Sequence, residues 1–226
     1  MTTIEFEDVH HHFGERVVLR GIDLSLTEHR VGIIGGNGSG KSTLARMING
    51  LHLPERGRVL VDGEDTRKRA AAIRRRVGFV FTDPDHQIVM PTVAEDIGFS
   101  LRRAKMSKAE RAARVAEVLA QFDLAGHADH PCHLLSGGQK QLLALAAVLV
   151  TEPDILVADE PTTLLDLRNA RRFAEILRRL PQQVVVVTHS LELVADFDRV
   201  LVIDDGKVAA DDAPAPAIEF YRKLIG

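Results

Sequence analysis

The sequence predicts an α/β protein in which helices cover both faces of a mostly parallel sheet. In the last third of the chain, residues 154–160 (DILVADE) and 183–189 (QVVVVTH) have the pattern of buried strands, and residues 167–180 (LRNARRFAEILRRL) that of an amphipathic helix. Alternation of strands and helices is typical of parallel strands joined by crossover helices. The continuous apolar runs ILVA and VVVV fit strands that are buried on both faces.

The first third of the chain predicts antiparallel strands as well. Residues 4–13 and 17–26 alternate apolar and polar side chains on either side of a Gly-Glu-Arg turn, which predicts a pair of antiparallel strands. Residues 29–51 predict an apolar strand, a glycine-rich loop and a helix. Residues 57–65 predict another strand that ends in an Asp-Gly turn. We therefore expect an antiparallel subdomain beside the parallel core.

The middle of the chain predicts helices. Between Thr92 and about Gln121, apolar side chains recur at i, i+3, i+4 and i+7, namely Val115, Val118, Leu119 and Phe122. Residues 136–150 predict a further helix. We expect one domain over residues 1–226, divided into an antiparallel β subdomain from 1–30 and 57–82, a core from 31–56 and 151–210, and a helical subdomain over 92–150.

Composition and charge exclude several classes of protein. With 226 residues, of which 45% are hydrophobic, the chain can bury a substantial core. The single cysteine, Cys132, cannot form an internal disulfide, and we see no signal-peptide pattern, so we expect a cytoplasmic setting. Every apolar run is shorter than the roughly 18–20 residues that span a bilayer. The net charge of −3 argues against a nucleic-acid partner.

A phosphate-binding loop is predicted at residues 35–43 (GGNGSGKST), which match G-x-x-x-x-G-K-[ST] between a strand and a helix. Its glycines let successive backbone N–H groups surround a phosphate, and the helix N-terminus adds its positive dipole. We expect Lys41 to reach the β- and γ-phosphates of a nucleotide and Ser42 to bind Mg²⁺. The Lys-Ser continuation argues against a dinucleotide fingerprint. The other nucleotide-binding candidates in the loop are Gly35, Gly36, Asn37, Gly38, Ser39, Gly40 and Thr43.

Two adjacent carboxylates end the apolar segment 154–160. In a protein with such a loop, this end of a strand lies beside the phosphates, so we expect Asp159 to bind Mg²⁺. Glu160 is then expected to orient or deprotonate the attacking water. The alternative for two acids at a strand end is a helix N-cap, but the phosphate-binding loop favours the catalytic interpretation.

A second anion-binding cradle is predicted within residues 134–141 (LLSGGQKQ), which open a helix. Ser136 and the backbone amides of Gly137 and Gly138, followed by Gln139, stand at the helix N-terminus. A nucleotide held by the first loop has room for this cradle only if the cradle comes from another molecule. The pattern therefore predicts a nucleotide site that two molecules share.

With these motifs in this order, the chain resembles the nucleotide-binding domain of ATP-binding-cassette (ABC) proteins, whose signature is Leu-Ser-Gly-Gly-Gln. The resemblance extends from Ile4 to about Val208. It implies an ATPase that uses ATP and Mg²⁺, with a RecA-like P-loop NTPase core, an antiparallel β subdomain and an inserted α-helical subdomain. It also implies a head-to-tail dimer, of identical or different chains, around two ATP molecules.

The same resemblance implies roles for three further residues. Asp166 matches the D-loop aspartate of the family, and His189 matches the switch histidine near the γ-phosphate. Phe13 lies where the family has an aromatic side chain that stacks on adenine.

Residues 79–91 (FVFTDPDHQIVMP) lie where this family has its Q-loop, a flexible segment that contacts the membrane subunit. The family pattern Val-Phe-Gln is Val-Phe-Thr here, so Thr82 replaces the glutamine that reaches towards Mg²⁺. Because threonine is shorter by roughly two bonds, we expect a bridging water, or alternatively Gln87, to take the place of that glutamine.

Residues 82–99 (TDPDHQIVMPTVAEDIGF) resemble the ATPases of energy-coupling-factor (ECF) importers, which take up vitamins or transition-metal ions in prokaryotes. This resemblance implies a peripheral location on the cytoplasmic face of the membrane, a transmembrane coupling subunit and a substrate-binding membrane subunit. It favours biotin as the first substrate to test, and cobalt or nickel second. The alternative is an assembly ATPase of the iron–sulfur scaffold type, which has the same motifs and soluble partners.

Overall fold

A computed structural model describes residues 2–226, and its regular elements follow the predicted order. The strands are β1 (Ile4–Phe13), β2 (Arg16–Leu26), β3 (Arg30–Ile34), β4 (Arg56–Val61), β5 (Glu64–Asp65), β6 (Val77–Val80), β7 (Ile155–Asp159), β8 (Gln183–Val187), β9 (Arg199–Asp204) and β10 (Lys207–Asp212). The α-helices are α1 (Lys41–Ile48), α2 (Ala70–Arg76), α3 (Val93–Ser100), α4 (Lys108–Gln121), α5 (Gly137–Leu149), α6 (Leu167–Arg179), α7 (Leu191–Val194) and α8 (Pro214–Ile225).

The chain divides into two compact units. Unit 1 comprises residues up to 79, 154–160 and 179–226, and unit 2 comprises residues 80–153 and 161–178. The subdomain boundaries given above stay a prediction.

Unit 1 is built on two sheets. The four-stranded sheet has the order β2-β1-β4-β5, and β1 is antiparallel to both of its neighbours. The six-stranded sheet has the order β10-β9-β3-β8-β7-β6, in which β7, β8, β3 and β9 run parallel and β10 runs antiparallel to β9. The predicted N-terminal antiparallel pair and the predicted parallel sheet are thus confirmed. Strand β6, which falls inside the segment 57–82, is an edge of the six-stranded sheet.

The parallel strands of unit 1 bring three loops to one edge. Every residue of β7 and β8 is buried, as expected for strands that are covered on both faces. Helix α1 packs against β7 and β8, while α8 packs against β9 and β10. Because β3, β8 and β7 are parallel neighbours, the segments that follow their carboxyl ends lie side by side.

Unit 2 is helical. Helix α3 packs against α4 and α5. Ser107 and Glu110 form a capping box that starts α4, and the predicted apolar face of this helix is buried at Val115, Val118 and Leu119. Within residues 2–226, no helix combines the length and the apolar character needed to cross a membrane.

Candidate functional site

The glycine-rich loop that follows β3 can form only with glycine at two of its positions. Gly35 has a φ of 152° and Gly40 a φ of 108°. A Cβ on Gly35 would lie 2.1 Å from the Ile203 carbonyl oxygen, and a Cβ on Gly40 would lie 2.8 Å from the Val18 carbonyl oxygen. These close approaches, together with the positive φ values, exclude other side chains. The loop is therefore held in a tight curve that ends at the start of α1.

Lys41 lies inside this curve. Its Nζ donates hydrogen bonds to the carbonyl oxygens of Gly35 at 2.9 Å and Gly36 at 2.8 Å, and only 6% of the residue is exposed. Burial lowers the pKa of Lys41, and the nearby carboxylates of Glu160 and Asp159 act in the opposite direction. The loop thus contains a positioned amine beside two acidic side chains.

Asp159, the last residue of β7, joins two side chains of α1. Ser42 Oγ donates a hydrogen bond to Asp159 Oδ1 at 2.7 Å, and an Arg46 guanidinium nitrogen donates to Oδ2 at 3.0 Å. A hydroxyl and a carboxylate are the hard oxygen ligands that Mg²⁺ prefers, so this pair fits the predicted metal. Sequence reasoning missed Arg46, although the Ser42 to Arg46 spacing of one helical turn puts both side chains on one face of α1.

Glu160 and His189 form a pair after the ends of β7 and β8. Glu160 Oε2 lies 2.7 Å from His189 Nδ1 and also accepts the His189 backbone N–H at 3.4 Å. Glu160 has a φ of 50°, and its own N–H donates to the Val187 carbonyl oxygen at 2.8 Å. Left-handed backbone at a residue other than glycine costs of order 1–3 kcal/mol and is typical of functional sites.

Phe13 and the glycine-rich loop line one cleft of about 170 Å³. Its lining residues are Phe13, Arg16, Val18, Gly38, Gly40, Lys41, Ser42 and Thr43. The Phe13 side chain is half exposed, and its ring contacts His11 edge to face at 4.7 Å between centroids. Arg16, which sequence reasoning missed, donates to the Gly38 carbonyl oxygen at 3.2 Å. The exposed aromatic ring fits the base of a nucleotide, and the neighbouring loop fits its phosphates.

Unit 2 holds the predicted second cradle at the start of α5. Ser136 is the N-cap: its Oγ accepts the Gln139 N–H at 3.3 Å, and Gln139 Oε1 accepts the Ser136 N–H at 2.9 Å. The Gln139 amide nitrogen also lies 2.9 Å from His127 Nε2. This capping box fixes the first turn of α5, where Ser136 and Gly137 are exposed at the positive end of the helix.

Asp166 lies just before α6 and contacts Asn169. Its Oδ1 accepts the Asn169 backbone N–H at 2.8 Å, and its Oδ2 accepts the Asn169 side-chain amide at 2.9 Å. The same amide lies against Gly138, where an added Cβ would be 2.4 Å from Asn169 Cγ. Asn169 therefore links the predicted D-loop aspartate to the second cradle within unit 2. Sequence reasoning missed this contact, and the local signal beside it was Asp166, a residue type that is preferred at helix N-caps.

Thr82 and Gln87 lie in the segment that follows β6, in unit 2. Gln87 Oε1 accepts the Phe81 N–H at 3.2 Å, and Gln87 Nε2 donates to the Ala144 carbonyl oxygen at 3.1 Å. Thr82 is half-buried. The choice between these two residues for the role of the family glutamine stays a prediction. Unit 1 thus contains Phe13, the glycine-rich loop, the two acids and His189, and unit 2 contains the remaining candidates.

Comparison with known proteins supplies a family. The model of the ABC transporter family matches residues 19–163. A relative from Deinococcus radiodurans, named only for ABC transporter ATP binding, is 56% identical over 222 residues and 98% of each chain. The biotin transport ATP-binding protein BioM of Rhizobium etli is 48% identical, again over 98% of each chain. The energy-coupling factor transporter ATP-binding protein EcfA1 of Symbiobacterium thermophilum is 45% identical over 88% of this chain and 72% of its own.

Solved structures agree with the predicted fold. The structure of cbiO1 from Clostridium perfringens, described as part of the ABC transporter complex cbiONQ, superposes with a TM-score of 0.85 at 31% identity. The match covers 98% of this chain and 92% of that chain. The predicted α/β fold of the P-loop NTPase type is therefore confirmed.

Proposed function

Because the chain belongs to the ABC transporter family and is an ATPase, we propose that it energises a prokaryotic importer of the ECF type. The relatives named for biotin transport and for an energy-coupling factor support this assignment, as does the similarity to cbiO1. We propose biotin as the first substrate, because of the Rhizobium etli relative, and cobalt or nickel as the second.

The observation that carries the enzymatic part of this proposal is the contact of Glu160 with His189 next to Asp159 and Ser42. In the proposed site, adenine stacks on Phe13, and the phosphates lie in the loop of residues 35–43. The Ser39 Oγ is buried and has no hydrogen-bond partner within residues 2–226, which fits a loop that receives an additional acceptor. Lys41 supplies the positive charge for the β- and γ-phosphates.

Ser42 and Asp159 are the proposed ligands of Mg²⁺, which when bound stabilises negative charge on phosphate oxygens. Their oxygen atoms are 2.7 Å apart. Arg46 orients the Asp159 carboxylate through Oδ2. The protein thus provides a prepositioned pair of oxygen ligands at the end of β7.

Glu160 is the proposed general base. His189 Nδ1 holds Glu160 Oε2 at 2.7 Å, so the carboxylate has a fixed orientation. A carboxylate held in this way takes a proton from the attacking water as the water oxygen bonds to the γ-phosphorus. The bond from that phosphorus to the bridging oxygen breaks at the same time, and ADP leaves with the electron pair.

A second ABC ATPase, identical or different, is the proposed partner of each nucleotide site. Its contribution would be Ser136, Gly137, Gly138, Gln139 and Asp166. Three large apolar side chains in the same segments are strongly exposed: Leu134 at 70%, Leu164 at 59% and Leu167 at 62%. These exposed leucines belong to the segments that carry the proposed cradle and Asp166, which supports a dimer contact through these segments of unit 2.

The proposed membrane partners are a transmembrane coupling subunit and a substrate-binding membrane subunit, with the chain bound on the cytoplasmic face and without nucleic acid. The test is affinity purification of the tagged chain from detergent-solubilised membranes, followed by reconstitution of the recovered complex in vesicles. We expect ATP-dependent uptake of labelled biotin, with labelled cobalt and nickel as comparisons and Glu160→Gln as the inactive control. Recovery with soluble iron–sulfur scaffold proteins and without a membrane protein would contradict the proposal and favour the assembly ATPase.

A further inference from the structure

Two glutamine side chains attach the segment of residues 81–87 to helix α5. Phe81 is held at both of its backbone polar groups: its N–H donates to Gln87 Oε1 at 3.2 Å, and its carbonyl oxygen accepts from Gln141 Nε2 at 3.2 Å. Gln87 Nε2 continues the link to α5 by donating to the Ala144 carbonyl oxygen at 3.1 Å. We call this set of three hydrogen bonds the glutamine clamp.

Gln141 is the buried half of the glutamine clamp. Only 1% of the residue is exposed, and its Oε1 has no hydrogen-bond partner within residues 2–226. The opposite orientation of the amide would place its oxygen against the Phe81 carbonyl oxygen, so that two acceptors would face each other. An unpartnered buried oxygen destabilises the fold, and an apolar side chain of similar size would avoid that penalty. The hydrogen bond from Gln141 Nε2 to the Phe81 carbonyl oxygen offsets part of that penalty.

An ion pair accompanies the clamp at the surface. Lys140 Nζ lies 2.7 Å from Asp85 Oδ1, but the Asp85 side chain is 62% exposed. Exposed ion pairs contribute little to stability. Gln87 and Gln141 thus supply hydrogen bonds between the segment and α5 that are less exposed than this ion pair.

We propose that Gln87 and Gln141 are positioning residues that make the segment of residues 81–87 move together with α5. The start of α5 carries Ser136 and Gly137, so a displacement of this cradle would be transmitted directly to the segment. This inference rests on the proposed function, in which the segment contacts the membrane subunit. The inference assigns Gln87 to holding the segment, because its amide oxygen bonds to Phe81 and its amide nitrogen bonds to Ala144. Thr82 then remains the residue at the position of the family glutamine.

The first test measures the clamp itself and is independent of any transported substrate. In the purified chain, we expect Gln87→Met to accelerate hydrogen exchange of the Phe81 amide by about tenfold, which corresponds to about 1.4 kcal/mol. Gln141→Met should accelerate exchange across residues 81–87, while Gln121→Met, an exposed site at the end of α4, should leave exchange unchanged. Unchanged exchange in both clamp variants would overturn the proposal.

The second test uses the reconstituted importer and compares substrate uptake with ATP hydrolysis in the same vesicles. We expect Gln141→Met to lower the ratio of uptake to hydrolysis by about tenfold, while ATP hydrolysis by the isolated chain stays within about twofold. Gln87→Met should lower the ratio equally, and the double variant should lower it no further, because either change releases the segment. Gln121→Met, which lies outside the segment, should leave the ratio unchanged.

Two outcomes of the second test would overturn the proposal. One is an unchanged ratio in both clamp variants. The other is a loss of hydrolysis in Gln87→Met that Gln141→Met does not share, which would assign Gln87 to the metal site. Absence of uptake by the unmodified complex would instead contradict the proposed importer function, and the exchange measurement would still decide whether the clamp exists.

Discussion

The Gly138→Ala substitution tests the contact between the second cradle and Asn169. A Cβ on Gly138 would lie 2.4 Å, 2.5 Å and 2.8 Å from Asn169 Cγ, Nδ2 and Oδ1. The amide, as the end of a flexible side chain, should move and lose its hydrogen bond to Asp166 Oδ2. Overpacking costs about 1–3 kcal/mol and a lost hydrogen bond about 0.5–1.5 kcal/mol. Because the amide can move, we expect Gly138→Ala to lower the free energy of unfolding by about 1.5–2.5 kcal/mol, the lower end of the combined range.

Denaturant and thermal unfolding of Gly138→Ala, Asn169→Ala and the double variant measure this contact. Each kcal/mol should lower Tm by about 2–4 °C in a chain of this size. With Asn169 truncated, the new methyl group has room, so Gly138→Ala should then cost less than about 0.5 kcal/mol. If Gly138→Ala costs the same in both backgrounds, the Asn169 contact is not the cause and the reasoning is wrong.

Three further substitutions test separate parts of the site and fold. Thr82→Gln restores the family glutamine and should preserve or raise steady-state ATP hydrolysis, whereas a large loss would show that the threonine is itself part of the site. Ser42→Ala removes a proposed Mg²⁺ ligand and should raise the Mg²⁺ concentration for half-maximal hydrolysis by at least about tenfold; an unchanged Mg²⁺ titration would refute that role. Asp96 Oδ1 accepts the N–H groups of Val89 and Met90, and burial raises the pKa of this carboxyl group. The folded state therefore loses stability as pH rises from the pKa of Asp96 in the unfolded chain to its higher pKa in the folded chain. Asp96→Asn keeps that oxygen without the charge and should raise Tm at pH 7, with the gain shrinking as pH falls through the same interval; a lower Tm at pH 7 would contradict this account.

Elements with a local pattern could be predicted from the sequence. The glycine-rich loop, the acids at the end of β7 and the start of α5 each depend on a short motif with its own backbone geometry, and the structure places each at the expected strand or helix end. The sequence pattern of residues 82–99 alone carries the resemblance to ECF ATPases. The structure explains two residues of this pattern. Thr92 starts α3 with a capping box, and Asp96 accepts two backbone N–H groups of the preceding segment.

Contacts between residues far apart in sequence could not be predicted. Arg46 bonds to a carboxylate 113 residues away, and Gln141 bonds to a carbonyl oxygen 60 residues away. No local pattern encodes such partners, because they depend on how helices pack onto strands and onto each other. For the same reason Gln87 had only one candidate role from sequence, whereas the structure adds a second through its contact with α5.

The measurement that tests the central claim most directly is ATP hydrolysis and oligomeric state of Glu160→Gln. The substitution keeps the size of the side chain and an oxygen that can face His189, but it removes the proton acceptor. We predict that hydrolysis falls by about 10²–10⁴-fold, that ATP binding is retained, and that light scattering after size-exclusion chromatography in the presence of ATP detects a dimer. Hydrolysis at the normal rate, or a monomer with ATP bound in the presence of the second ATPase of the complex, would contradict the account.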